Sequence, residues 1–360
     1  MKLKELQGWQ VKRLLCGVLA VLVIGGLYIG FTAFSLYNDK LAESDYWDNA
    51  FVSPDEVKAE VADLSKNAAV VSCGTYVENL KEISLKNSNF RLEMMVWFNW
   101  DGDEDLDMAN NFRIYKGLIN KREIVKETFE NGHCYQLARI DATVTKNYWT
   151  KRFPLESHQL KIYIEPNYSA DRVVLAADRT SGYNDNLSIA GFDFVCMDTG
   201  IFDMKYNSAH GDPQLADAAY TTEHVTQIEI NRSSGGLYAK CFIALIGTIT
   251  WVMITLFICT YHRVDPLSMI PAALFGTVTN IMVGANLVPD ALDMGLLEFV
   301  NIWNIMMILM SAIAIININR IRNKFEDREF ARLFGRTMFI AILLLVLVGN
   351  LVLPLSAYLF

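Results

Sequence analysis

The sequence predicts a membrane protein: an antiparallel β-sandwich outside the membrane joined to a four-helix transmembrane domain, with an additional transmembrane helix at the N-terminus. Three observations predict it. Five apolar segments approach or reach membrane length, one near the start and four in the last third of the chain. Between them, short apolar and β-branched runs alternate with turn residues. Basic side chains gather on alternate sides of the apolar segments, the pattern that orients a membrane protein.

Composition agrees with a mixture. The 360 residues are 52% hydrophobic with mean hydropathy +0.21, high for a water-soluble protein and low for membrane helices alone. From Asn38 to Gly235 we count about 32 acidic and 20 basic side chains, a balance near −12 against −8 for the whole chain. Such an acidic domain is a poor partner for nucleic acid and would concentrate cations. Six cysteines occur, of which Cys73, Cys134 and Cys196 fall in the soluble part. None has CxxC spacing, so no zinc site or disulfide framework is signalled; one bridge or three unpaired thiols both fit.

Residues 1–37 carry Lys2, Lys4, Lys12 and Arg13 ahead of an apolar run from Leu14. The run exceeds a leader's apolar core and lacks a small-x-small cleavage site, so it reads as a retained signal-anchor, with cleavage as the alternative. Residues 38–74 form a stalk with a short helix in SPDEVKAEVADL, where Ser53 is the expected N-cap, Pro54 opens the first turn and Glu56 follows three residues after the cap. Residues 75–235 form the β domain. RLEMMVWFNW, CYQLARIDATV, QLKIYIE and VTQIEINR are strand-like, separated by turns such as DGDED and ENGH, the texture of an Ig-like sandwich.

Residues 236–360 form the four-helix transmembrane domain, with spans at about 237–261, 266–288, 296–318 and 337–358. The loop with Arg320, Arg322, Lys324, Arg328, Arg332 and Arg336 is basic; the short connection with Asp290, Asp293 and Glu298 is not. The N-terminus is therefore expected in the cytoplasm, with the β domain and C-terminus outside an inner or plasma membrane. The span 266–288 is the least oily, with Pro266, Ser268, Pro271, Thr277, Thr279, Asn280 and Asn286. Polar groups facing hydrocarbon are costly, so these residues either line a water-filled path or serve close helix packing.

Several stretches in order resemble the pentameric ligand-gated ion channels, in a prokaryotic form without the Cys-loop disulfide. YVENLKEISLKNSNFRLEMMVWFNWD resembles that family's first two strands, ending on Trp100 and Asp101. TKRFPLESHQLKIYIE is similar to its signature loop and next strand, with Phe153, Pro154, Leu155, Glu156, Ser157 and His158; Gln is usual where His158 stands. RVVLAAD with LSIAGFDF looks like the following strand pair, Arg232 and Tyr238 match the opening of the first channel helix, and TNIMVGANLVP resembles the outer end of the pore helix. The first channel helix lacks the customary proline, the segment between Trp100 and Phe112 is short, and Pro266 and Pro271 alter the inner half of the pore helix. The resemblance implies a homopentamer in the lipid bilayer, gated by a small-molecule or proton ligand bound between β domains.

It also places residues. Leu267, Pro271, Leu274, Val278, Ile281 and Ala285 would line the pore, and their three-and-four spacing makes one helical stripe. The other reading of that stripe is a packed face. Arg263 and Asp265 would ring the inner mouth. Tyr115, Glu165, Tyr168, Tyr206 and Tyr220 would form an aromatic, acid-assisted ligand site, against their alternative as core or surface residues. Phe153, Pro154, Leu155, Glu156, Arg232 and Pro289 would couple ligand to pore. Independently of the resemblance, Asp101, Asp103, Asp105 and Asp107 stand at alternate positions, as calcium ligands or as a solvated acidic turn. No HExxH, GxSxG, P-loop or GxGxxG motif occurs, and no enzyme chemistry is expected. A non-conducting membrane sensor or assembly protein with the same architecture is the rival function.

Overall fold

The computed structural model describes residues 6–208, 218–233, 235–285 and 294–358, without the side chains of 283–285. Helices α1 (Gly8–Asp48) and α2 (Asp55–Leu64) precede the strands; α3 (Gly235–Tyr261), α4 (Ile270–Ala285), α5 (Leu296–Lys324) and α6 (Arg328–Tyr358) follow them. Two compact units result. One holds Met1–Ala42, Trp149–Glu156 and Ser234–Phe360; the other holds Glu43–Tyr148 and Ser157–Ser233.

In the helical unit, α1, α3, α5 and α6 are long and apolar enough to cross a membrane, and α4 is a shorter apolar helix. The chain is a membrane protein with a sheet-rich part. Helix α1 packs against α5 and α6 through its small residues: a Cβ on Gly25 would meet Leu345 at 3.0 Å, and Gly17 faces Phe334 and Met338. Tyr28 stacks on Trp303 with ring centres 5.8 Å apart and donates its hydroxyl to the Phe299 carbonyl at 2.8 Å. Trp303 in turn fits only because position 349 is glycine, where an added Cβ would lie 2.2 Å from the indole. The loop Trp149–Glu156 belongs to this unit. Its Lys151 carbonyl accepts from the Leu296 N–H at 2.7 Å, and Gly295 lets the backbones approach, since a Cβ there would sit 2.5 Å from that carbonyl.

The other unit contains β1 (Ala69–Ser84), β2 (Asn89–Asp101), β3 (Phe112–Ile114), β4 (Gly117–Glu130), β5 (His133–Thr145), β6 (Ser157–Pro166), β7 (Val173–Ala177), β8 (Gly182–Tyr183), β9 (Phe192–Tyr206) and β10 (Ala219–Arg232). One sheet has the order β4-β5-β2-β1-β7, with β8 also on β1; the second runs β3-β6-β10-β9. Alternation builds the first: Phe90, Leu92, Met94, Val96, Phe98 and Trp100 of β2 all point to the core. Asn131 and Gly132, both at positive φ, turn β4 into β5 as a two-residue hairpin of Asn-Gly type. The sheets meet through a Thr75–Thr226 hydroxyl contact of 2.8 Å, a bond from the Leu175 N–H to the Thr222 hydroxyl, and the Phe98–Phe112 ring pair.

Two features depart from expectation. The first sheet is mixed rather than antiparallel, because β7 and β8 run parallel to β1. Ser53 does not cap α2. Its hydroxyl instead accepts from the Asp203 N–H at 2.7 Å, and the helix begins after Pro54 without a side-chain cap. That bond belongs to a cover formed by residues 43–64 on the second sheet. Phe51 lies against Gly200, where a Cβ would clash at 2.6 Å. Gln159 and Lys161 of β6 donate to the Glu43 and Tyr46 carbonyls at 3.0 and 2.7 Å, and the second of these bonds satisfies an open acceptor in the last turn of α1.

Candidate functional site

The covered face of the second sheet carries an acid–aromatic cluster. Antiparallel register puts Arg113 of β3 beside Glu165 of β6, and continuing the β6–β10 register puts Glu223 beside Glu165. Arg113 donates to both Glu165 oxygens at 3.0 and 2.9 Å, and the Tyr206 hydroxyl donates to the same carboxylate at 2.9 Å. Tyr115 stands edge-on to Tyr163 and Tyr206, with ring centres 6.1 and 6.4 Å away. Among the expected ligand residues, Tyr115, Glu165 and Tyr206 therefore come together. Tyr168 is bonded to the Leu106 carbonyl, and Tyr220 lies under the Lys205 ammonium. Much of the intervening hairpin, 209–217, is outside the described residues.

Arg113, Tyr163 and Glu223 belong to this cluster and were not singled out from the sequence. The only available signal was register: once Glu165 is placed on β6, alternation brings in Tyr163, and pairing brings in Arg113 and Glu223. Burial pushes the Glu223 carboxyl up to about 8, with the nearby Glu165 charge adding to it and Arg113 opposing. On the same strand, burial pulls His224 down to about 4, and neither of its ring nitrogens has a hydrogen-bond partner among the described residues. Burial also lowers Lys161, whose ammonium lies over the Tyr46 ring, to about 8.

Helix α4 divides its residues by face. Ile270, Ala273, Thr277 and Asn280 are buried; Asn280 donates to Asn301 of α5 at 3.2 Å, and Gly276 permits close approach of Thr248 from α3. Part of the helix's polar and small content thus serves packing. Leu267, Pro271, Val278 and Ile281 are exposed and Leu274 is half-buried, while Phe275, at 76% exposure, projects furthest. The Ala285 side chain and all of Pro289 lie outside the described residues. Arg263 and Asp265 are exposed ahead of the helix, and Asp265 accepts from the Leu267 N–H.

Of the remaining coupling residues, Phe153, Pro154 and Glu156 are buried and Leu155 is half-buried. Arg232 lies over the Phe192 ring at 4.1 Å. Three of the four aspartate side chains have separate tasks. Asp101 pairs with His133, Asp103 accepts from the Asp105 N–H, and Asp107 accepts from Asn110 and Gln136. Among the described residues, no group of three or more His, Cys, Asp or Glu is placed to hold a metal ion. No disulfide joins any of the six cysteines among the described residues.

A scan against protein-family models matches none, and a search of curated proteins returns no match.

Proposed function

We propose that the chain is one subunit of a ligand-gated, pentameric ion channel. The observation that carries this reading is the division of α4. Its amide and one of its hydroxyls turn inward to α3 and α5, leaving an apolar stripe from Leu267 to Ile281 available to an axis shared with other copies. Five such stripes make apolar rings that dewet and close. Arg263 and Asp265 stand at one mouth of that pore. The Tyr115–Glu165–Tyr206 cluster is the ligand-responsive part of a sandwich of Ig-like arrangement outside the membrane, and the loop with Phe153 passes its changes to the helices. Opening requires two helix packings, with the ligand preferring one of them.

The rival is a non-conducting sensor of the same architecture, favoured by the cluster's self-sufficiency: Arg113 already neutralises Glu165. Ion flux from liposomes holding the purified protein separates the two. The channel reading expects flux that starts with a change of pH or on addition of small amines. Tight vesicles under every such condition, with protein correctly inserted, favour the sensor.

A further inference from the structure

At the end of the helical unit where α5 turns into α6, Arg13 reaches Asn317, three residues and so about one turn before Arg320 on α5, which brings two like charges to neighbouring turns. Arg13 is held in place by the Asn317 amide oxygen at 2.8 Å and lies over the Phe325 ring at 5.5 Å. Neither guanidinium has a carboxylate partner among the described residues, and Arg320 is exposed. The acids nearby do not fill the gap. Asp327 accepts from Gln10 at 2.7 Å and from the Phe330 N–H at the start of α6, Glu326 points to solvent, and Glu329 has its own interaction. Six basic residues lie between Arg320 and Arg336, against these three acids.

Beside the two arginines, Trp9 stacks on Phe325 with ring centres 5.3 Å apart and meets Phe330 edge-on at 5.4 Å. An indole at the end of membrane helices marks the headgroup level of a bilayer. Along the same two helices, Leu15, Leu19, Ile313 and Ile316 are exposed. Two unmatched guanidiniums above apolar side chains, at headgroup depth, are complementary to one molecule: a phosphate with acyl chains attached.

We propose that α1 and α5 form a site for an anionic phospholipid, with Arg13 and Arg320 holding the headgroup phosphate and Trp9 and Phe325 bordering it. A phosphate there relieves the repulsion between the two arginines and accepts from both forks. The inference rests on the membrane character of the helical unit and not on conduction, so it survives if the chain proves to be a sensor.

The test is native mass spectrometry of the delipidated full-length protein titrated with dioleoyl phosphatidylglycerol, dioleoyl phosphatidylcholine or inorganic phosphate. Phosphatidylglycerol should bind the wild type selectively, and R13Q/R320Q should bind it on the order of tenfold more weakly. R328Q/R332Q removes the same charge elsewhere and should bind nearly as the wild type does. If R13Q/R320Q does not fold, R320Q alone serves, since the Arg320 side chain is exposed, and it should still weaken binding severalfold. Equal losses in the two double variants, equal binding of both lipids, or displacement of the lipid by millimolar inorganic phosphate would each overturn the site.

Discussion

Leu274→Ser is expected to produce leak current without added ligand. Five leucines at one level of a pore present isobutyl groups that water leaves readily as the ring narrows, and five serines present hydroxyls that hold it. The closed, dry state then loses its advantage over the wetted one. About 1.4 kcal/mol moves an open-to-closed ratio tenfold, a bias that spread over five subunits is small for each. Phe275→Ser is the comparison. At 76% exposure Phe275 makes little contact within the subunit. It stands on the flank of the Leu267–Ile281 stripe, so Phe275→Ser should assemble normally and leave the resting pore closed. Leak from Phe275→Ser with silence from Leu274→Ser would move the axis to the line through Phe275 and Met282.

Glu223→Gln is expected to remove a pH dependence of stability from the sheet-rich unit. The Glu223 carboxyl rises from 4.5 in the unfolded chain to about 8 in the fold, because it is buried beside Glu165. Between those values the folded protein holds a proton that the unfolded chain has lost, so stability falls as pH rises. The slope is at most about 1.4 kcal/mol per pH unit. His224, lowered from 6.5 to about 4, works the other way: it adds stability as pH rises from about 4 to 6.5. Lys161, lowered from 10.5 to about 8, does the same only above pH 8. Of these three groups, only Glu223 makes stability fall between pH 6.5 and 8, and Lys146, also pulled down to about 8 by burial, acts above that window as Lys161 does. Across it, urea unfolding of full-length Glu223→Gln should gain on the order of 1–2 kcal/mol relative to wild type. Parallel pH profiles for the two proteins would show that Glu223 is not the titrating group.

Much of the architecture is legible in local pattern, and what is not depends on partners distant in sequence. Strand β2 alternates cleanly because one face meets the core, and the Asn131–Gly132 turn follows from side-chain chemistry alone. Strands β6 and β10 are buried on both faces, yet read as half-polar: Gln159, Lys161, Glu223 and Gln227 are buried under the cover formed by residues 43–64. No period in a strand announces that a helix end will need its lysine. Ser53 illustrates the same limit, since a capping pattern was present and the hydroxyl went to Asp203 instead. In the cluster, Tyr115, Glu165 and Tyr206 were legible through resemblance. Arg113 and Glu223, which decide its charge, required the register. On α4, the stripe was placed by the resemblance, and only packing separates Leu274, half-buried, from Phe275, turned out.

Imaging of single particles of the detergent-solubilised full-length protein decides whether the chain is a channel subunit. A channel subunit predicts rings of five copies, with α4 of each copy nearest a continuous axial path and Leu274 at its narrowest apolar level. A homogeneous monomer or dimer, or a five-fold ring whose axis is filled by another helix, would contradict it.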